Sequence, residues 1–386
     1  MTLDFARARA ETPGAARSAH LNNAGAALPP AVVVDAVVDY LREEALAGGY
    51  ELADARRDQV QHTYDALARL VGADADEIAV IENATRAWDM AFYGFAFEPG
   101  DKILTGRSEY ASNAIAHLQV AERTGAVIEV VDDDEHGQLD VADLRRRIDE
   151  RVKLISITHI GTQGGLINPV AEVGVVAREA GVPYLLDACQ SAGQVDLDVR
   201  AIGCDILSAT GRKFMRGPRG TGFLYVRRDL ELRPPMLDLY AATWTAPDAY
   251  TVREDARRFE NWECNIATKI GLGVAADYAL SWGMKAIEER VVALGARLRE
   301  LLTERGAVVH DLGVHKGGIV TFTLPGYTPD EVKGHLSAAG VNVSVSRAPS
   351  SRYDLPSRGL EAVVRASAHY YNDEEDLDRL IRALPA

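Results

Sequence analysis

Cysteine is scarce in this 386-residue chain, and no run of 18 uncharged apolar residues occurs in it. Its three cysteines, Cys189, Cys204 and Cys264, are too few and too scattered for a disulfide framework or a paired-cysteine metal site. The first 17 residues also lack the apolar core of a signal peptide. We therefore expect a cytoplasmic protein with no membrane contact and no bound metal.

Positive charge is also in short supply, because 42 lysines and arginines face 57 aspartates and glutamates and leave a formal net charge of −15. Such a surface repels nucleic-acid phosphates unless basic residues are concentrated in one patch. The longest basic run, Arg145 to Arg147, is followed at once by Asp149 and Glu150, which indicates a solvated helix face. Nucleic acid is not an expected partner.

Several common catalytic motifs are missing. The chain has no glycine-rich dinucleotide fingerprint, no P-loop, no serine elbow and no paired-histidine zinc motif. Dinucleotide-dependent, nucleotide-hydrolysing, serine-hydrolase and zinc-peptidase functions therefore lose their main support. The composition is otherwise that of a folded protein, with 47% hydrophobic and 26% charged residues.

Hydrophobic patterning predicts an α/β fold. Short apolar runs bounded by Gly, Pro or charged residues alternate with amphipathic stretches, which is typical of a mainly parallel sheet covered by helices. The predicted strands are 103–104, 126–131, 154–158, 184–187, 206–209 and 222–226, with helices at 31–47 and 170–180. A smaller α+β unit follows, with helices at 266–282, 284–305, 329–339 and 374–384 and strands at 319–324 and 341–345.

A lysine and an aspartate point to the chemistry. Only seven of the 42 basic residues are lysines, and Lys213 stands in an Arg- and Gly-rich turn after a predicted strand. A lysine amine forms a Schiff base, whereas arginine cannot. Asp187 ends an earlier strand, at the sheet edge where open α/β folds bind ligands. This pairing suits pyridoxal 5'-phosphate (PLP), with the carboxylate on the pyridine nitrogen and the lysine as the imine partner.

Five motifs, in order, carry a family resemblance: His20-Leu-Asn-Asn-Ala24, Glu82-Asn-Ala-Thr-Arg86, Asp187-Ala-Cys-Gln190, Thr210-Gly-Arg-Lys213 with Gly217 to Gly222, and Arg365-Ala-Ser-Ala-His-Tyr-Tyr-Asn372. The chain resembles the class V aminotransferase family of fold-type I PLP enzymes, which also holds cysteine desulfurases, C–S lyases and isopenicillin N epimerase-like proteins. The resemblance implies a large domain with a mainly parallel, seven-stranded-type sheet and a smaller α+β C-terminal domain. The predicted bounds are 1–30 for an N-terminal segment serving the site and the small domain, 31–258 for the large PLP-binding domain and 259–386 for the small domain.

The resemblance also assigns the cofactor residues. It implies that Lys213 carries PLP and acts in catalysis, that Asp187 faces the pyridine nitrogen and that Gln190 contacts the ring hydroxyl. The phosphate would lie on the amides of Ala84 and Thr85 and near the hydroxyl of Thr210. Two residues depart from the family. Arg212 replaces a usual histidine and could bind the phosphate, and Tyr110 replaces the histidine that stacks on the ring.

Substrate residues are implied in the same way. Arg365 matches the arginine that clamps the α-carboxylate of an amino-acid substrate, while Asn23, Gly25 and Thr162 line the site nearby. His159 follows a strand and serves either in catalysis or as support. The resemblance further implies a homodimer with composite sites, and the aromatic segment Phe259 to Trp262 is expected to lie near the surface at the twofold interface.

The reaction type is less closely constrained. Desulfurases need a cysteine on the loop before the C-terminal arginine, and residues 344–358 contain none, so persulfide desulfuration is disfavoured. We favour a C–S β-lyase that converts a cysteine S-conjugate to a thiol or sulfenate, pyruvate and ammonia, with the Arg-rich stretch 346–358 holding the S-substituent. The alternatives are an aminotransferase, an epimerase that uses Tyr110 or His159 as the opposite-face acid, and a PLP-binding protein without catalysis.

Overall fold

A computed structural model describes residues 4–386 of the chain. Its helices are α1 Phe5–Ala10, α2 Ala31–Ala47, α3 Gly49–Ala55, α4 Arg57–Val71, α5 Ala84–Phe92, α6 Ala111–Thr124, α7 Val141–Arg147, α8 Val170–Ala180, α9 Val199–Ile202, α10 Ile266–Trp282, α11 Met284–Glu304, α12 Pro329–Ala338 and α13 Glu374–Ala383. Short 3₁₀ turns lie at Pro13–Ala16, Ala75–Glu77, Ala256–Phe259, Ala348–Ser350 and Leu355–Arg358. None of the helices in this part of the chain is long and apolar enough to span a membrane.

The strands are β1 Ala19–His20, β2 Ile78–Ile81, β3 Lys102–Thr105, β4 Val127–Val130, β5 Val152–Thr158, β6 Tyr184–Asp187, β7 Ile206–Thr210, β8 Gly222–Val226, β9 Ala242–Ala246, β10 Ala249–Val252, β11 Val308–Val309, β12 Ile319–Thr323, β13 Val341–Asn342, β14 Ser344–Arg347 and β15 Ala362–Ser367. Seven of them form one sheet in the order β2-β8-β7-β6-β5-β3-β4. Strand β8 runs antiparallel to both of its neighbours, and the other pairings are parallel. The predicted mainly parallel, seven-stranded α/β fold is confirmed.

Both faces of this sheet are covered, which explains why its strands are continuously apolar. Along β6, Tyr184 and Leu186 face the core under α4 and α8, whereas Leu185 faces the core under α5 and α6. Helix α10 packs against α2 and α4 on the first of these faces. Helix α10 lies within the bounds predicted for the small domain, 259–386, but it packs against two helices of the predicted large domain, 31–258.

A second sheet, in the antiparallel order β11-β12-β15-β14, has its own core with leucines of α11, α12 and α13. The N-terminal segment joins this unit, because β1 pairs with β13 and Leu21 lies in the same core. The predicted bounds 1–30, 31–258 and 259–386 stay a prediction.

Candidate active site

The predicted cofactor residues meet at one edge of the large sheet. Thr158, Asp187 and Thr210 are the last residues of β5, β6 and β7, and Asp187 lies beside Thr158 in the ladder register. Lys213 follows β7 in a tight turn, in which the Gly217 amide donates to the Gly211 carbonyl at 2.7 Å. Because the carboxyl ends of parallel strands share an edge, the fold gathers residues that are far apart in sequence.

Lys213 is buried at this edge, with 7% of its surface exposed. Its Nζ lies 5.9 Å from the centroid of the Tyr110 ring. Within residues 4–386 no carboxylate oxygen lies within 4.0 Å of it. Burial raises the pKa values of Asp187 and the Cys189 thiol, and the Lys213 charge is near enough to oppose part of both rises. The structure thus holds a buried amine, without an ion-pair partner, beside an aromatic face.

Asp187 is oriented by two donors. Its Oδ2 accepts a hydrogen bond of 2.8 Å from Asn113 Nδ2, and its Oδ1 accepts one of 2.8 Å from the Cys189 amide. Burial raises the pKa of Asp187, and these two donors together with the Lys213 charge oppose the rise. The carboxylate is fixed in place while lacking a bonded cation.

Glu109 and Asn113 are functional candidates that the motif assignment did not include. Asn113 Nδ2 also donates to Glu109 Oε1 at 2.8 Å, so one amide joins two buried carboxyl groups. Glu109 accepts further bonds from the hydroxyls of Thr105 and Thr158 and from the Tyr110 amide. Burial, with a contribution from the Asp187 charge, raises the pKa of Glu109 to about 7. Their spacing of four residues, around Tyr110, is the one sequence signal that could have linked them.

The predicted phosphate site lies at the start of α5. Asn83 caps this helix by accepting from the Arg86 amide at 3.0 Å, and the amides of Ala84 and Thr85 stand in the first turn, where helical partners are lacking. Gly222 allows β8 to approach this turn, because a Cβ there would lie 2.8 Å from the Asn83 carbonyl carbon and 2.9 Å from the Ala84 nitrogen. Thr210 Oγ1 donates to the Thr221 carbonyl at 3.3 Å. Such a helix start favours anions.

The opposite end of the site belongs to Arg365 on β15. Its Nη1 donates to the carbonyl and hydroxyl oxygens of Thr162 at 3.0 and 2.7 Å, and its Nε is buried without a partner. Burial first, and the Arg212 charge second, lower the pKa of Arg365 to about 10. Arg212 itself donates to the carbonyl oxygen of Gly25. The structure therefore brings Arg212, Gly25, Thr162 and Arg365 together.

Three further predicted site residues, Gln190, Asn23 and His159, differ in whether their side chains have polar atoms without a hydrogen-bond partner. Gln190 Nε2 donates to Ala24 O and Thr162 Oγ1 at 3.2 and 3.3 Å, but its Oε1 is buried without a partner. Asn23 has its side chain bonded to Ser367 O and the Tyr371 hydroxyl, so it ties the N-terminal segment to the small sheet. His159 is buried with Nδ1 unpartnered, and burial lowers its pKa to about 4.

The family model described as Aminotransferase class-V matches residues 19–380. The chain belongs to this family. The predicted resemblance is confirmed, and with it the cofactor, because class V enzymes use PLP. The chain is thus a PLP-dependent class V enzyme.

Individual relatives agree with this assignment. A probable cysteine desulfurase from Methanothermobacter thermautotrophicus is 31% identical, over 94% of this chain and 92% of that protein. An apo cysteine desulfurase from Thermococcus onnurineus superimposes with a TM-score of 0.92 and 26% identity, covering 99% of this chain and 97% of that one. The cystine C–S lyase C-DES, solved with its product cysteine persulfide, shares the fold with a TM-score of 0.86 and 22% identity, over 96% and 98% of the two chains.

The residues present fit PLP. The buried, unpartnered Gln190 Oε1 suits a ring hydroxyl, and the α5 turn that Gly222 admits suits a phosphate. Asp187 is a fixed buried carboxylate without a bonded cation, as a protonated pyridine nitrogen requires. The unpaired amine of Lys213 completes the set.

Proposed function

We propose that this class V enzyme cleaves the C–S bond of cysteine or of a cysteine S-conjugate. The sulfur leaves as hydrogen sulfide from cysteine and as a free thiol or sulfenate from an S-conjugate, with pyruvate and ammonia as the other products. The relatives named cysteine desulfurases support a cysteine-derived substrate. The positions and raised pKa values of the three cysteine thiols support direct release of the sulfur, without transfer to the enzyme. This observation on the thiols carries the proposal.

No thiol of the chain is suited to accept sulfur as a persulfide. Residues 344–358 contain no cysteine. Burial raises the thiol pKa of Cys189 and of Cys204, which lowers the thiolate fraction of each near neutral pH. Cys264 is exposed, and its thiol pKa is also raised, by partial desolvation first and by the charges of Glu260 and Glu263. Cys189 lies nearest to Lys213, but it stands in the short turn directly after β6, where its amide donates to the Asp187 carboxylate at 2.8 Å. A direct elimination needs no enzyme thiolate.

Each side chain has a role in this scheme. PLP, when bound, withdraws electrons from the α-carbon of the substrate. Asp187, oriented by Asn113, would pair with the pyridine nitrogen, Gln190 would bind the ring hydroxyl, and Tyr110 would cover the ring. The amides of Ala84 and Thr85 and the hydroxyl of Thr210 would hold the phosphate.

Substrate handling falls to Arg365 and Lys213. Arg365 would bind the α-carboxylate through a bidentate contact that uses its free Nε. Lys213, which carries the cofactor at rest, would take the α-proton and return it to the departing sulfur. A thiol with an ordinary pKa of about 8.5 leaves readily, so no strong acid is needed for it. An epimerase would need an acid on the opposite face, and His159, with a pKa near 4, is neutral at physiological pH.

The test replaces all three cysteines with serine. We expect this triple variant to fold, to bind PLP and to release pyruvate from S-substituted cysteines at a rate within about threefold of wild type, because no thiolate takes part. Pyruvate and free thiol are measured in parallel. Cysteine itself is assayed in the same way. A variant that binds PLP but releases no pyruvate from cysteine, while wild type given cysteine holds its sulfur as a protein-bound persulfide, would refute the proposal in favour of desulfuration.

We also propose a homodimer. Phe259 is a core residue, 1% exposed, so the expectation that it lies at the surface is wrong, whereas Trp262 is 51% exposed. The β9–β10 hairpin supplies a better surface, because Trp244 and Tyr250 pair across it and stay 78% and 53% exposed beside Leu239. Exposed aromatics grouped in this way favour burial against a second copy. Light scattering of wild type and of Trp244→Asp tests this assembly; a fully active wild-type monomer would contradict it.

A further inference from the structure

Arginines around the site fall into two groups. In the loop that was expected to hold an S-substituent, Arg347 pairs with Asp330 and Arg358 pairs with Asp354, each at 2.7 Å. Each of these two guanidiniums already has a carboxylate partner in the protein, so neither is available to hold an anionic S-substituent. Arg212 and Arg365 differ, because no carboxylate oxygen within residues 4–386 lies within 4.0 Å of either one.

The two unpaired guanidiniums share one region. Arg365 is buried, and the Arg212 charge is close enough to lower its pKa. Both are held in place by neutral oxygens, Arg365 by Thr162 and Arg212 by the carbonyl of Gly25. Two neighbouring cations that share no anion repel each other, and an α-carboxylate can neutralise only one of them.

The contacts of Arg212 lie toward the substrate residues. Its side chain bonds to Gly25, and its charge acts on Arg365 and on the Cys189 thiol. Over the part of the chain that the structure describes, it makes no hydrogen bond to residues 82–86 at the start of α5 or to Thr210. This placement favours a substrate role for Arg212 over the phosphate role suggested by its position in the motif.

We propose that Arg212 binds a second acidic group, carried on the substrate side chain, while Arg365 binds the α-carboxylate. This inference rests on the proposed C–S cleavage and specifies its substrates as cysteine S-conjugates with an anionic S-substituent. A carboxylate of this kind would supply the counter-ion that the protein itself does not provide. A neutral substituent would leave the Arg212 guanidinium desolvated without an ionic partner, and for that reason it binds more weakly.

The experiment uses two probes that differ only in charge, S-carboxymethyl-cysteine and its amide twin S-carbamoylmethyl-cysteine. For each probe, the dissociation constant is measured from the change in cofactor absorbance, and kcat/KM from pyruvate release. We expect wild type to prefer the acid about 10- to 100-fold in binding, the range typical of one hydrogen bond to a charged group. Arg212→Gln is expected to abolish that preference, and Arg212→Lys to retain part of it.

A matched control removes the same charge elsewhere. Arg123 is exposed in the last turn of α6, and Arg123→Gln is expected to leave the acid-to-amide ratio as in wild type. Equal binding of the two probes to wild type would overturn the proposal. So would an Arg212→Gln variant that loses affinity equally for both probes and for PLP, because Arg212 would then hold the phosphate. Absence of pyruvate with either probe would refute C–S cleavage, whereas the binding ratio would still decide the role of Arg212.

Discussion

Two of the seven lysines are buried, and their surroundings differ. Lys269, on α10, donates to Glu260 Oε2 at 2.8 Å, and Glu260 also accepts from the Tyr64 hydroxyl and the Val80 amide at 2.9 Å. Within residues 4–386, no carboxylate oxygen lies within 4.0 Å of the Lys213 amine. A buried charge is costly unless it is paired. The paired lysine therefore serves the fold, whereas the unpaired one is kept available for a ligand.

The same contrast holds for the acids. Glu260 is paired with the Lys269 ammonium. Glu109 accepts hydrogen bonds only from neutral donors, and burial raises the pKa of Glu109. Buried ionisable groups without a charged partner, Lys213, Glu109 and Arg365, thus lie around the same end of the large sheet. In the proposed scheme the cofactor and the substrate provide partners for Lys213 and Arg365, while the Glu260–Lys269 pair is complete without them.

The largest expected effect is that of Lys213→Ala. Turnover should fall by about 10³-fold or more, because the variant loses both the group that carries the cofactor and the proton carrier, and proton transfer alone is commonly worth about 10²- to 10⁴-fold. The urea midpoint should change little, since no ion pair is broken. Borohydride reduction followed by peptide mapping checks the assignment. A reduced PLP adduct on another lysine in wild type would contradict it.

Lys269→Met should have the opposite effect to Lys213→Ala, because it should lower stability and leave cofactor attachment unchanged. Removing one partner of a buried pair leaves Glu260 as an unpaired charge, which typically costs about 3–5 kcal/mol of the free energy of unfolding. Urea unfolding measures that loss, and the double variant Glu260→Gln with Lys269→Met should recover part of it. The molecules that remain folded should still carry PLP on Lys213. Loss of the PLP adduct without loss of stability would show that Lys269 serves cofactor binding and not the fold.

The fold was largely predictable because its strands and helices have strong local patterns. The strands 184–187 and 222–226 and the helix 266–282 have the predicted bounds. The β9–β10 hairpin was not predicted, because its strands are exposed on both faces and lack the apolar alternation of a half-buried sheet. The pairing of β1 with β13 was missed for another reason, since two-residue strands carry no pattern of their own.

The site was predictable only where a motif carried it. Lys213, Asp187 and Arg365 come from motifs, and the structure places all three around one end of the large sheet. The link from Glu109 through Asn113 to Asp187 depends on the packing of α6 beside β6, which the spacing between residues 113 and 187 does not reveal. Nor could the sequence show that Phe259 belongs to the core, because an aromatic residue in a loop fits a core and an interface equally well.

The smallest effect concerns Glu109 and depends on pH. Its pKa is raised from an ordinary 4.5 to about 7, so the folded protein holds this proton more tightly than the unfolded chain does. Stability from this group is therefore fully present below pH 4.5 and is lost as pH rises through about 7, by at most about 3 kcal/mol. Glu109→Gln removes the titration and keeps an acceptor for Tyr110, Asn113 and Thr158. Urea unfolding between pH 5 and 8 should show wild type losing stability relative to Glu109→Gln as pH rises. A pH-independent difference would mean that Glu109 is already ionised when folded, stabilised by its four donors, and that unpaired acids near the cofactor stay charged.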